Sequence, residues 1–297
     1  MPDGWQHVSS FDGTRVAWRL DAPPDTLTKA GKVRASETAV VLCNGISCDH
    51  GYWNHIWGPL AERAPVLRWH YRGHGDSDPP ADPDAYRVVD VVRDLEAVTR
   101  ETGVKRAVLV GHSYGVQVVT EAPRHLPDLA AGLVCVAGTY GHPIMRFGPF
   151  NPGVKVFDVF HATTRLPGLP ALTRAAMRSP LAYWGARAIR LIGPHAPRDD
   201  VRQWFDHLAG LDMGVITRMM RGMQEHTSED LHADYDVPVV TIPGGSDWAT
   251  PTRILRRLAD RAPHGRMVEV ADGSHVLPIE HPEVVVEQVL RVLDEAR

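Results

Sequence analysis

The stretch that decides the fold reads Ala107-Val108-Leu109-Val110-Gly111-His112-Ser113-Tyr114-Gly115, and it runs straight on into Val116–Arg124. Four apolar residues without alternation suit a strand buried on both faces, and the residues from Val116 onward suit a helix. Only a sharp turn fits between the two. Glycines two residues before and two after Ser113 let the backbone fold that tightly. A serine held in such a strand-to-helix turn is lifted, hydroxyl exposed, above the C-terminal edge of a sheet. Ser113 is therefore the candidate nucleophile. The alternative is a glycine-rich turn whose serine caps the helix.

Short apolar runs of the same kind recur on either side, at Ala39–Cys43, Pro65–Trp69, Leu133–Val136, Val237–Ile242 and Met267–Val270. Helical spacing lies between them: Val88, Val91, Val92, Leu95 and Val98; Leu255, Leu258, Ala259 and Ala262; and Val286, Val289, Leu290 and Leu293 behind a first-turn Pro282. Buried strands alternating with amphipathic helices predict an α/β protein with a mostly parallel central sheet flanked by helices. At the start, His7–Ser10 and Thr14–Leu20 flank Asp12-Gly13, a hairpin signal that adds antiparallel strands at one edge. The polar stretch Ala22–Glu37 reads as a surface loop. From Gly138 to Asp236 the alternation breaks, and helix signals are cut short by Pro149, Pro152, Pro167, Pro170, Pro180, Pro194 and Pro197. This interval is expected to be a helical insertion over one end of the sheet, with a core domain formed by 1–138 and 236–297 and a cap at 139–235. Extra core helices with no lid role are the alternative.

Composition narrows the function classes. Of 297 residues, 43% are hydrophobic and 23% charged, as in an ordinary globular protein. Lys plus Arg numbers 32 against 36 acids, a net charge of −4, which argues against a nucleic-acid partner. No run of about 18 apolar residues exists to span a membrane. The first residues lack the basic and apolar regions of a signal peptide, and three cysteines, Cys43, Cys48 and Cys135, make no disulfide framework, so a cytoplasmic location is expected.

A serine hydroxyl is a poor nucleophile at neutral pH and needs a base beside it. Among sixteen histidines, His275 stands just after the last strand run, at the same sheet edge as Ser113. The base in turn needs an orienting carboxylate, and Asp247 follows the Val237–Ile242 strand at that edge. The three follow in the order Ser113, Asp247, His275, each just after a strand run at the same sheet edge. The run after Leu133–Val136 offers no rival acid. His281, before Pro282, reads as a capping residue. His70 and His74 lie four apart but among glycines, without a metal-binding helix pattern, so no metal is expected. No G-x-G-x-x-G or P-loop pattern appears, and no cofactor is implied. Cys48, without a partner histidine, reads as a packed small hydrophobe.

These loops together resemble the α/β-hydrolase superfamily, in its bacterial serine-hydrolase branch with a helical cap, over nearly the whole chain. Asn44-Gly45-Ile46 resembles the family's oxyanion segment, and Tyr71-Arg72-Gly73-His74-Gly75-Asp76-Ser77 its arginine-glycine-histidine-glycine loop. Gly244 through Pro251 resembles the acid loop and Gly273-Ser274-His275 the histidine loop. Asn44 stands where a histidine is usual, and His70 where an aspartate is common, which points to altered loop support. The resemblance implies an oxyanion hole from the backbone N–H groups of Ile46 and Tyr114. It also implies a serine esterase acting through an acyl-enzyme on a small-molecule substrate with an apolar part. Thioesterase, lactonase, carbon–carbon hydrolase or perhydrolase chemistry uses the same triad, and a ligand-binding relative with an idle triad is the reading from another class. Phe147, Phe150, Phe157, Trp184, Trp204 and several methionines offer material for a pocket wall, but most, at helical spacing, read as cap core, and no individual residue is assigned to substrate binding. A basic run from Arg146 to Arg198, including Arg174 and Arg178, is read as a solvated face or, more sharply, as a surface that attracts anions.

Overall fold

The computed structural model describes residues 4–143 and 152–296. Among the described residues, eight strands form one sheet: β1 (Gln6–Ser9), β2 (Arg15–Asp21), β3 (Thr38–Cys43), β4 (Val66–Trp69), β5 (Arg106–His112), β6 (Ala130–Val136), β7 (Val239–Ile242) and β8 (Gly265–Met267). Their spatial order is β1-β2-β4-β3-β5-β6-β7-β8. β2 runs antiparallel to both β1 and β4, and every later pairing is parallel. The strand that leads into Ser113 is thus central, between β3 and β6.

The helices are α1 (Trp57–Ala61), α2 (Val88–Thr102), α3 (Tyr114–His125), α4 (Pro152–Thr163), α5 (Leu169–Arg178), α6 (Leu181–Ala188), α7 (Arg198–Gly210), α8 (Met213–Glu225), α9 (Thr252–Arg261), α10 (Leu277–Glu280) and α11 (Pro282–Glu295). Alternate strand residues feed two apolar layers. Val41, Leu109 and Leu133 pack with Val91 and Leu95 of α2 and Val118 of α3. Val40, Val108, Val110 and Val134 pack with Val289 and Val292 of α11 on the other face. A sheet covered on both faces needs apolar residues at every position, which is why the strands read as unbroken runs. This is the α/β-hydrolase fold, as the sequence predicts.

Two details differ from the expectation. The last ladder is β8 at Gly265–Met267, upstream of the apolar run Met267–Val270. β8 is an outer, half-buried strand, so burial on two faces does not set its composition. Val268 and Val270 still donate N–H bonds to Thr241 and Pro243, 2.9 and 3.0 Å, without a continuous ladder. The helix after Ser113 begins at Tyr114, two residues earlier than its apolar pattern. Between β6 and β7 the described chain runs through α4 to α8, with α4 packed on α8 and α5 on α7. Among the described residues, no helix is long and apolar enough to cross a membrane.

Candidate active site

Ser113 has φ 54° and ψ −113°, a conformation that L-residues avoid and that costs on the order of 1–3 kcal/mol. Its neighbours enforce it. A Cβ on Gly111 would sit 2.4 Å from the Gly115 carbonyl oxygen, and one on Gly115 would sit 2.2 Å from that of Cys43 in β3. The turn therefore closes only with glycine at both places. The Ser113 N–H donates to the Val136 carbonyl at the end of β6, 3.0 Å away, anchoring the elbow to the next strand.

The three residues picked out from the sequence meet at this point. Ser113 Oγ lies 3.1 Å from His275 Nε2, and His275 Nδ1 lies 2.9 Å from Asp247 Oδ2. A carboxylate only accepts, so Nδ1 carries the proton and Nε2 is left to accept from the serine hydroxyl. The acid and histidine loops are tied together, Gly245 N–H donating to Val270 O and Ser246 N–H to Gly273 O. Asp247 Oδ1 accepts the N–H groups of Ala249 and Thr250 at 2.8 and 3.0 Å, and Oδ2 accepts the Thr250 hydroxyl at 2.5 Å. Burial alone favours the neutral acid. His275 and the Thr250 hydrogen bonds outweigh it and hold the Asp247 carboxyl below its ordinary value.

Asn44, the residue in place of the usual histidine, is a buried tie. Its side-chain oxygen accepts from Trp53 Nε1 at 2.6 Å, its amide donates to Trp69 O at 3.3 Å, and its own carbonyl accepts from Tyr71 Oη at 2.8 Å. The loop beyond Asn44 lies against Ser113, since a Cβ on Gly45 would be 3.2 Å from Ser113 Cβ. Ile46 is in this loop, and Tyr114 opens α3, where backbone N–H groups have no helical acceptor. His74 braces the same loop, with Nδ1 donating to Arg72 O at 3.2 Å and Nε2 accepting from Ser47 N–H at 3.4 Å. His70 accepts the Asp76 N–H at 3.0 Å and stacks near Trp5, ring centres 4.0 Å apart. Burial holds these two imidazoles down, to about 4 for His74 and about 3 for His70. Arg72 is fully buried and makes paired 2.7 Å bonds to both oxygens of Asp94.

Three contributors escape a sequence reading. His112 donates from Nε2 to the His275 carbonyl at 2.8 Å and stacks on Tyr52, ring centres 4.7 Å apart. Burial pulls its pKa down to about 3, with the nearby His275 adding to the effect. Thr250 grips Asp247, and its only signal is a hydroxyl three residues beyond the acid. Glu280 accepts the Ser274 N–H at 2.8 Å, a contact with no sequence signature. Cys48 is buried with its thiol pushed well above the ordinary value, first by burial, and stays protonated. Of the aromatics between β6 and β7, Trp204 is buried against Tyr52 and Phe205, whereas Trp184 is exposed. Phe147 and Phe150, like Arg146, lie outside the described residues, as does the Phe157 side chain. Arg174 and Arg178 are exposed.

Residues 40–288 match the model of the alpha/beta hydrolase family. The chain belongs to that family. Its relatives include bovine Protein ABHD8, 26% identical over 216 residues, 72% of this chain and 46% of that protein. The chain thus spans about half the length of the ABHD8 proteins. RutD of Caulobacter segnis, named as a candidate carbamate hydrolase, is 25% identical over 88% of this chain and 93% of its own. A thermophilic esterase from Thermogutta terrifontis superposes with a TM-score of 0.76 at 18% identity, covering 99% of each chain.

Proposed function

We propose that this protein is a serine hydrolase that cleaves a carboxylic ester through an acyl-enzyme. The observation that carries the reading is the unbroken hydrogen-bonded line from Ser113 through His275 to Asp247. His275 takes the Ser113 proton as the hydroxyl attacks the acyl carbonyl, and Asp247 stabilises the imidazolium and keeps its tautomer. The same imidazole returns the proton to the leaving alcohol and then activates water against the acyl-enzyme. The backbone N–H groups of Ile46 and Tyr114 are the oxyanion donors, each contributing a factor of about 10²–10³. No step requires a cofactor. The segment between β6 and β7 serves as the cap over this sheet edge, and its aromatic and aliphatic side chains favour an apolar acyl or alcohol part. The family relation and the esterase of the same fold agree with this reading.

The test is labelling of the folded protein with a fluorophosphonate, which needs an activated serine. We expect stoichiometric modification at Ser113 and none in Ser113→Ala, with p-nitrophenyl ester turnover lost in parallel. An unlabelled Ser113 in folded protein, or full turnover by Ser113→Ala, sinks the proposal.

A further inference from the structure

Glu280 ends α10 and is 7% exposed, yet its two carboxylate oxygens reach different parts of the molecule. Oε2 accepts the N–H of Ser274, the residue before His275, at 2.8 Å. Oε1 accepts the N–H of Gly193, in the turn between α6 and α7, at 2.5 Å, across 87 positions of sequence. That turn is held from its other side, where Arg187 Nη1 donates to Gly193 O at 3.0 Å. His275 is pinned beyond the Glu280 contact as well, its carbonyl accepting from His112. We propose that Glu280 is a positioning residue that couples the seating of the helical cap to the placement of His275 against Ser113. This inference rests on the hydrolase reading above.

The chemistry selects the residue. Two N–H donors converge on one buried side chain, and only a carboxylate presents two oxygens that both accept. Glutamine would turn its NH₂ toward one of the donors and lose that arm, leaving a buried N–H without a partner. The cap side is equally restricted, because a Cβ on Gly193 would lie 2.5 Å from Oε1. Any side chain there pushes the turn and the carboxylate apart. Displacement of the cap therefore moves Glu280, Glu280 moves the Ser274 peptide, and His275 loses its alignment with the nucleophile. An enzyme built this way is fully active only with its cap seated.

The experiment measures the second-order rate of Ser113 modification by two fluorophosphonates, one with a short alkyl group and one with a long chain. The low-field proton resonance of His275 Nδ1–H is recorded alongside. Gly193→Ala, which leaves every triad contact chemically intact, is expected to slow both probes about equally, by ten-fold or more. It should also shift or broaden the resonance. Glu280→Gln should do the same, and the double variant should be little slower than the slower single one. If Glu280→Gln does not fold, Gly193→Ala carries the test alone. Labelling of Gly193→Ala at the wild-type rate, or slowing confined to the long-chain probe, overturns the coupling, the latter by assigning the turn to access only. Failure of the wild-type protein to label refutes the hydrolase reading itself, so the two failures are distinct.

Discussion

Replacing Asp247 by asparagine changes one atom, and the hydrogen bonds around it dictate the outcome. Oδ1 accepts two backbone N–H groups, from Ala249 and Thr250, so the amide oxygen of Asp247→Asn must occupy that place. The NH₂ then falls at the Oδ2 position, facing the Thr250 hydroxyl and His275 Nδ1. The hydroxyl can rotate from donating to accepting. The imidazole can only change tautomer, moving its proton to Nε2, where it points at Ser113 and cannot accept the serine proton. The fold survives with its buried groups paired, and the base is disabled. The expected loss in kcat is on the order of 10⁴, or ~5 kcal/mol of transition-state stabilisation, while stability shifts by no more than ~1–2 kcal/mol. The assay is p-nitrophenyl ester hydrolysis near neutral pH, paired with urea unfolding of the same preparations. A variant within ten-fold of wild type would refute the argument, because some other group would then be orienting His275.

Gly115→Ala forces a Cβ against the Cys43 carbonyl and should cost at least ~2–3 kcal/mol in urea unfolding together with Ser113 labelling; wild-type values in both would discredit the packed elbow. Burial depresses His112 and His74 from an ordinary 6.5 to about 3 and about 4. Their contribution to stability is therefore full above about pH 6.5 and drains away as pH falls through the folded values, at on the order of 1.4 kcal/mol per pH unit for each. Urea midpoints measured from about pH 7 to about pH 4 should fall steeply, and less so in His74→Gln; a flat profile contradicts the neutral, buried assignment. Trp53→Phe removes the donor to Asn44 Oδ1 in a site 2% exposed, at a cost of ~1–3 kcal/mol, and should depress kcat by loosening the loop that holds Ile46. Equal kcat in the two proteins would separate that tie from catalysis.

The parallel sheet is legible because burial on both faces leaves a compositional trace. Val40, Val41, Val108 and Leu109 cannot be polar in either layer, so the runs mark the strands. The elbow is legible because its two glycines answer a steric demand at fixed spacing. Outer strand β8, at the sheet edge with all three residues half-buried, leaves a weaker trace, and it sits upstream of the apolar run. Contacts made by His112 and Glu280 are illegible for a different reason. Each joins a side chain to a backbone atom, 163 positions away for His112 and six and 87 positions away for Glu280, and a backbone atom carries no residue identity. Asn44 is intermediate: its departure from the family pattern is visible, but its three partners are not.

His275 reaches Ser113 across 162 positions of chain, with the helical detour between β6 and β7 lying in between. For a flexible loop of that length, closure alone costs ~4–5 kcal/mol of entropy. Here the sheet defrays it, since the pairing of β7 with β6 and of β8 with β7 holds the loops of Asp247 and His275 at the elbow. A fragment ending before β7 contains Ser113 but neither Asp247 nor His275, and is expected to be chemically silent. On the hydrolase reading, ester turnover would double as a reporter of sheet completion: a chain divided between β6 and β7 is expected to regain activity only when both pieces reassemble.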